Sequence, residues 1–297
     1  MKMPTQISVK SHRPMSNFRL RNRLGNIPYY IILAIWAIIT IVVFVWVIES
    51  SFKTNREVFK DPWNLPTAPW TSAIANYTKA WEVSHMQLYF INSILVVIAS
   101  VFIVVAVSAP AAYVLSRIPF IGNSAVSYYF IAGMGLPFQL ILVPLFVMLS
   151  KIGLADSLEG LILVYVGVSI PFTVLLLTGF FKTLPVELED AASVDGCSDF
   201  GIFWKVMMPL GAPGLITAAI FNFISIWNEY LLAMLIINSD KLRTLPLGVM
   251  NIRYSMQYTA DWTALFAAVV IVIIPNFLLY VFLSDRIMSG LTLGVGK

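Results

Sequence analysis

Charge is scarce in this 297-residue chain: Asp, Glu, Lys and Arg make up 11% of it and hydrophobic residues 59%, whereas ordinary soluble domains are roughly 25% charged. An ordinary soluble globule is thereby excluded, and a membrane protein is indicated. Cysteine is nearly absent. Cys197 stands alone, which excludes an internal disulfide and a cysteine-based metal cluster; its acidic neighbours do not lower a thiol pKa, so it reads as structural. Histidine is limited to His12 and His85, neither in the HExxH spacing of a zinc site, so no metal site is expected. The phosphate-binding pattern GxxxxGKS/T has no match, since the only Gly-Lys pair is Gly296-Lys297, and no GxSxG elbow occurs. The chain is therefore expected to be no ATPase, to hold no catalytic residue and to bind no cofactor itself. Segments of about ten residues alternating in polarity are missing, which excludes a β-barrel. A basic helix with interleaved aromatics is missing too, so the pI of about 9.1 calls for no nucleic-acid partner.

What is abundant is long apolar sequence. A helix needs about 20 apolar residues to cross the hydrocarbon core, and six stretches qualify: Pro28 to Val47, Leu88 to Leu115, Ile118 to Ser150, Gly160 to Phe181, about Ala212 to Ile237, and Trp262 to Ser284. The expected fold is all-α, with six transmembrane helices. Six Lys and Arg residues and no acid precede the first span, which places that tail in the cytoplasm, and six spans return the C-terminus to the same side. On this topology eleven of the 19 cationic side chains lie inside and eight outside. The first apolar run exceeds the 7–15 residues of a signal-peptide core and Glu49-Ser50-Ser51 is no small-x-small cleavage site, so it is expected to be a retained span. The expected organisation is a cytoplasmic tail over 1–27, a membrane domain over 28–288 and a second cytoplasmic tail over 289–297. Within the membrane domain, about 49–87 forms an external cap and about 182–210 a cytoplasmic loop. Trp63, Trp70, Tyr77 and Trp81 of the cap fit an interfacial aromatic belt, with a sugar-stacking platform as the alternative.

Two places inside the membrane carry polar or helix-breaking residues. Gly133, Gly135, Pro137 and Pro144 interrupt the third span, where proline removes a backbone donor and clashes with the preceding turn, so a kink or unwound stretch is expected. Irregular backbone at that depth must be buried or line a wet cavity, which leaves a pathway helix with Gln139 as a polar contact, or a kink for packing. In the fifth span, Trp227-Asn228-Glu229 places an acid within the apolar run, where it needs a cavity, a partner or a position close enough to the outer end to stay wet. Pathway lining or interhelical hydrogen bonding fits better than a proton relay, because no second ionisable group in the spans can receive the proton.

Five of the fifteen acids fall between Val186 and Leu210. Pro185 suits a first helical position and Glu187, Glu189 and Asp190 suit a helix N-terminus. Leu188, Ala191, Ala192 and Asp195 then share one face of low relief that another protein could approach closely. Gly196 can end the helix in the left-handed conformation, and a second short helix with Phe200, Phe203 and Trp204 runs on to Pro209. The expectation is a helix-turn-helix between spans four and five.

This segment resembles the EAA loop of the membrane subunits of ATP-binding-cassette importers, whose pattern is E-A-A, three residues, G, nine residues, I-x-L-P. Here Asp190-Ala191-Ala192, Ser193-Val194-Asp195, Gly196, nine further residues and Val206-Met207-Met208-Pro209 hold the same register. Asp stands for the usual Glu, and Val and Met for Ile and Leu. The stretches NSILVV from Asn92, AAYVLSR from Ala111, LPFQLILVPLF from Leu136, IWNEYLLAM from Ile226 and SGLTLGVGK from Ser289 are similar to the carbohydrate-uptake branch, to which the smaller maltose-permease subunit belongs.

The resemblance implies a multi-pass permease subunit of a bacterial inner membrane that translocates a sugar or oligosaccharide. Its implied partners are a second homologous permease, two cytoplasmic ATPases that use ATP and Mg, and an external solute-binding protein. Glu189, Asp190, Ala191, Ala192, Asp195, Gly196 and Pro209 are the implied ATPase-coupling residues, with Asp190 and Glu189 as alternative carriers of the ion pair to the ATPase. Residues 290–297 are implied to reach the ATPases, although GVGK departs from the commoner GAVKG ending. The opposing reading is an ion-coupled carrier or channel that works without an ATPase.

Overall fold

The computed structural model describes residues 27–135, 137–259 and 261–295, with the side chains of Val83, 255–259 and 285–295 outside the description. The basic tail before Ile27 therefore lies outside what is described, and of residues 290–297, implied to reach an ATPase, only the backbone of 290–295 is described. Two compact units result, residues 1–49 and 50–297. The first holds almost all of α1 (Ile27–Ser50), an uncharged helix until Glu49, in which the Thr40 hydroxyl is satisfied by donating to the Trp36 carbonyl at 2.9 Å.

The second unit opens with α2 (Asn55–Lys60), α3 (Pro69–Thr78) and a π-turn at Lys79–Val83. It continues with α4 (Met86–Arg117), α5 (Asn123–Gly135), a 3-10 turn at Phe138–Ile141, α6 (Leu142–Lys151) and α7 (Leu158–Thr183). Then come α8 (Glu187–Val194), α9 (Asp199–Ile202), a π-turn at Phe203–Met207, α10 (Met208–Leu210), α11 (Ala212–Trp227) and α12 (Leu231–Ile236). A 3-10 turn at Asp240–Leu242, α13 (Leu245–Thr259) and α14 (Trp262–Val295) complete it, with no strand among the described residues. The chain is thus all-α, as its composition requires. Four helices are long and apolar enough to cross a membrane alone, α1, α4, α7 and residues 262–284 of α14, and two bent pairs bring the number to six when each pair is one span. One pair joins α5 to residues 138–151 at 87°, across the Gly- and Pro-rich stretch where a break was expected. The other joins residues 199–210 to α11 at 70°.

Water gives no reason for apolar helices to associate inside lipid, so close backbone approach has to come from small side chains. α4 supplies them: Ser93, Ser100, Ser108, Ala109 and Ala112 are buried, and α7 packs along this helix. Thr178 ties its hydroxyl to Val174 O at 2.7 Å, within its own helix, as a membrane hydroxyl must. α11 packs on both α4 and α7, with Asn222 donating to the Thr173 hydroxyl at 2.8 Å, and α14 closes over α11.

The hydrogen bonds between loops sort them into two groups at the two ends of α4, a helix roughly 48 Å long for its 32 residues. At its start, Tyr89 donates to Asp240 at 3.0 Å and Asn92 to the carbonyls of Lys241 and Arg243 at 2.9 Å each. Asp156 accepts from the Asn238 and Ser239 amides at 2.8 Å each, and Asp261 accepts from Lys79 and Asn55. At its finish, Arg117 meets the end of α7 and the start of α8. Of the cations expected on opposite membrane faces, Lys79, Lys241 and Arg243 thus lie at one end of α4 and Arg117 at the other.

One expected element is corrected. The fifth span does not run unbroken from Ala212 to Ile237, because α11 stops at Trp227 and α12 begins at Leu231. The acid makes the break. Glu229 accepts the Leu232 amide at 2.8 Å and the Ala233 amide at 3.2 Å, satisfying two of the donors that a new helix start leaves open, while Tyr165 of α7 donates to it at 2.7 Å.

Candidate docking site

The 182–210 segment folds from its own signals. α7 ends at Thr183 with Leu184 extended behind it, Pro185 follows, and α8 begins with Glu187, Glu189 and Asp190 in its first turn, where the positive end of the helix dipole favours them. Its far end closes with both bonds of a Schellman motif: Cys197 N donates to Ala192 O and Gly196 N to Ser193 O, each at 3.0 Å. Gly196 sits at φ +80° with open space around the missing side chain, so glycine is needed for backbone conformation and not for room. Ser198 then caps α9 by accepting from Gly201 N at 3.3 Å. Pro209 lies in the first turn of α10, where it lacks no needed donor, and the 70° bend into α11 follows at Gly211.

One side of this helix-turn-helix is anchored. Ala192 is buried with Ile202, Phe203 and Met207 against Tyr113 and Phe181, and the Tyr113 ring stands 5.2 Å from Phe203. Gly211 and Gly214 let α11 start hard against α7, since a Cβ on either would fall 2.5–2.7 Å from the rings of Phe181 and Phe180. Arg117 closes the joint. Its Nη2 donates to Phe181 O at 2.6 Å, beside the Leu184 amide that also bonds that carbonyl, and to Leu184 O, at a helix end where a cation suits the dipole. Its Nε lies 3.0 Å from Glu189 Oε1, off the line of a good N–H···O bond; both atoms are shut off from solvent. Glu189 Oε2 accepts from Tyr113 at 3.3 Å. With the two side chains 9% and 15% exposed, the pair is screened little, and removing one partner of such a pair costs about 3–5 kcal/mol by stranding the other charge.

The opposite side is open. At 100° per residue, Glu189 and Ala192 share the inner face of α8, while Glu187, Asp190, Ala191 and Val194 share the outer one; all four are exposed, Val194 at 88%. Phe200 and Trp204 are exposed on the second arm, and Asp195 and Pro209 are exposed at its two turns. The face expected from Leu188, Ala191, Ala192 and Asp195 is thus rotated: Ala192 points inward because the aromatic cluster of α4 and α7 takes up its methyl group.

Inside the membrane the four expected pathway residues separate. Gln139 and Asn228 are exposed, Asn228 accepting from Asn276 of α14 at 2.8 Å. Trp227 does not face open space: it is 1% exposed, stacked on Phe223 at 5.6 Å and donating to Val272 O at 3.0 Å. Glu229 is the cap of α12 described above. The broken third span borders a cavity of about 660 Å³ with α7, lined by residues such as Met134, Phe138, Leu145, Val164 and Phe172. Among the described residues that lining offers no hydroxyl, amide or charge, and Gln139 is not part of it.

The profile of the family "binding-protein-dependent transport system inner membrane component" matches residues 105–284, more than half of the chain. The chain belongs to this family. It is 37% identical over 89% of its length to a diacetylchitobiose uptake system permease protein of Streptomyces coelicolor, covering 86% of that protein. It is 36% identical over 84% of its length to a sulfoquinovosyl glycerol transport system permease protein of Agrobacterium fabrum, covering 86% of that protein. A solved bacterial ABC transporter involved in the import of the acidic polysaccharide alginate has the same fold, with TM-score 0.77 and 21% identity over 93% of this chain and 99% of that one. The protein is therefore an inner-membrane permease component of an ABC importer, with the ATPase in a separate subunit.

Several residues that build this permease's docking segment escaped sequence reasoning. Tyr113 and Arg117 counted there only as parts of the family-like stretch AAYVLSR and of the charge balance, with no contact to the docking segment, and Gly211 and Gly214 not at all. The legible signal for Arg117 was its position: a lone cation ending a span on the same side as five acids.

Proposed function

We propose that this permease forms one half of the membrane pathway of an ATP-driven importer of a sugar or oligosaccharide. Its partners are a second homologous permease, two cytoplasmic ATPases and an external solute-binding protein, and both of its termini lie in the cytoplasm. ATP and Mg are used by the ATPases and not by this chain. One observation carries the reading: a helix-turn-helix anchored on its inner side and bare on its outer side, where Asp190, Ala191, Val194 and Phe200 stand in solvent. Exposed apolar side chains rimmed by charge mark a protein contact. ATP can drive the permease only through contacts that differ between its states, and this surface is where such contacts form. The carbohydrate substrate is supported by the relatives, whose names give diacetylchitobiose, sulfoquinovosyl glycerol and starch degradation products. Within the pathway, Gln139 and Asn228 are the polar side chains that meet the solute, while Glu229, next to Asn228 in the chain, holds the start of α12.

Purification of the native complex tests the assembly: an ATPase is expected to come with the chain, and solute uptake is expected to need ATP. Combined loss of Asp190, Ala192 and Gly196 is expected to abolish uptake with the protein still in the membrane. Transport by the purified chain alone, driven by a proton or sodium gradient, would overturn the reading in favour of an ion-coupled carrier. A thermal-shift screen of the cognate binding protein against sugars identifies the solute class.

A further inference from the structure

Two neighbouring acids of α8 point in different directions and cannot do the same job. Asp190 stands on the outer face in solvent. Glu189, about 100° round the helix, is turned inward with both oxygens engaged, one by the Arg117 guanidinium and one by the Tyr113 hydroxyl. An ATPase side chain reaching for Glu189 would have to displace Arg117, whose Nε has no other partner. The same guanidinium grips the last carbonyls of α7 and is itself the last residue of α4. One planar cation thus joins three helices at a single point, which a point-charge ammonium cannot do with the same geometry.

We propose that Arg117 is a positioning residue for energy coupling: through Glu189 it locks the docking helix α8 to the ends of α4 and α7, so that a force applied to the outer face of α8 moves both spans together, while Asp190 makes the ion contact to the ATPase. This rests on the importer reading above and adds a division of labour within it. Loosening the lock leaves an ATPase bound to a helix that yields without dragging the spans, so ATP is spent without transport. Loosening Asp190 releases the ATPase instead.

The test uses the complete importer reconstituted in liposomes with its binding protein and solute, reading ATPase co-purification, ATP hydrolysis and solute uptake per ATP. Asp190→Asn is expected to lower ATPase retention about tenfold, with uptake falling in proportion. Glu189→Gln, which keeps the side-chain shape, is expected to retain the ATPase and its hydrolysis while uptake per ATP falls about tenfold. Arg117→Met is expected to fall further, because the α7 carbonyls lose their donor too. The double variant Arg117→Met with Glu189→Gln is expected to be no worse than Arg117→Met alone, since both changes break one joint. Arg117→Lys, which keeps the charge, is expected to recover part of the uptake per ATP and also serves if Arg117→Met fails to reach the membrane. Normal uptake per ATP in Glu189→Gln, additive losses in the double variant, or release of the ATPase by Glu189→Gln but not by Asp190→Asn would each overturn the proposal. Failure of the unaltered chain to retain any ATPase would instead sink the importer reading itself.

Discussion

At the end of the bundle where α4 begins, three acids are tied to their own chain, Asp261 by Lys79 and Asn55, Asp240 by Tyr89 and Arg243, and Asp156 by the amides of Asn238 and Ser239, while Asp61, Glu82 and Glu159 stand exposed. At the end where α4 finishes, Glu189 alone of the five acids between Val186 and Leu210 is so engaged, and Glu187, Asp190, Asp195 and Asp199 stand exposed beside Val194, Phe200 and Trp204. Carboxylates that hold loops together need internal donors, and the first end supplies them. Carboxylates and apolar side chains left bare at the second end gain nothing for this chain's own fold. Bare groups of this kind mark a partner surface, so the two ends differ in how their acids are used.

Substitutions can break this contrast in graded steps. The largest effect on coupling is expected from Val194→Asp on the bare face, which touches no core: uptake by the reconstituted importer falls about thirtyfold or more, the scale of a central interface residue, with the melting temperature of the purified chain unchanged. Glu229→Leu at the break between α11 and α12 strands two amides and the Tyr165 hydroxyl, and about 2–4 kcal/mol of stability is expected to be lost in a denaturant titration in detergent. Gly196→Ala imposes a left-handed conformation on a residue with a Cβ, at roughly 1–2 kcal/mol, and is expected to lower both the melting temperature and ATPase retention.

The smallest effect is acid-dependent and confined to the first end. Glu57, held foremost by the Thr54 amide and then by Thr67, is lowered from 4.5 to about 2. A carboxylate held below its ordinary pKa stabilises the fold above that value, so its contribution is whole above pH 4.5 and fades as pH falls toward 2. Asp261 shifts in the same direction from 3.8: burial raises it, but bonds from Lys79 and Asn55 outweigh the burial. Proteolysis of the loop between α2 and α3 is expected to accelerate between pH 5 and pH 3, and Glu57→Gln is expected to flatten that dependence.

Where the sequence was legible, the signal was local. The ends of α4 and α7 fall within two residues of the apolar runs Leu88 to Leu115 and Gly160 to Phe181, because a run of that length and hydrophobicity has one stable form in lipid. Gly196 announced its turn since few other residues adopt φ +80°. The third span's break was equally open to reading, with two glycines and a proline in five residues. The fifth span's break was not. Nothing in Ile226 to Met234 opposes a helix, and the acid that caps the new start, Glu229, also takes a bond from Tyr165, 64 residues away. The burial of Trp227 was hidden for a related reason: a helix apolar nearly all round has no periodicity to say which side meets its neighbours. Arg117 and Glu189, too, are brought together only by the packing of α4 on α7.

The central claim is that the outer face of α8 is the surface an ATPase grips, and cysteine cross-linking in native membranes tests it most directly. In a background where Cys197 is replaced by serine, Val194→Cys carrying a short photoactivatable cross-linker is expected to yield an adduct containing the ATPase, and Trp63→Cys at the other end is expected to yield none. An ATPase adduct from position 63, or none from 194 in membranes that still transport, would contradict the account.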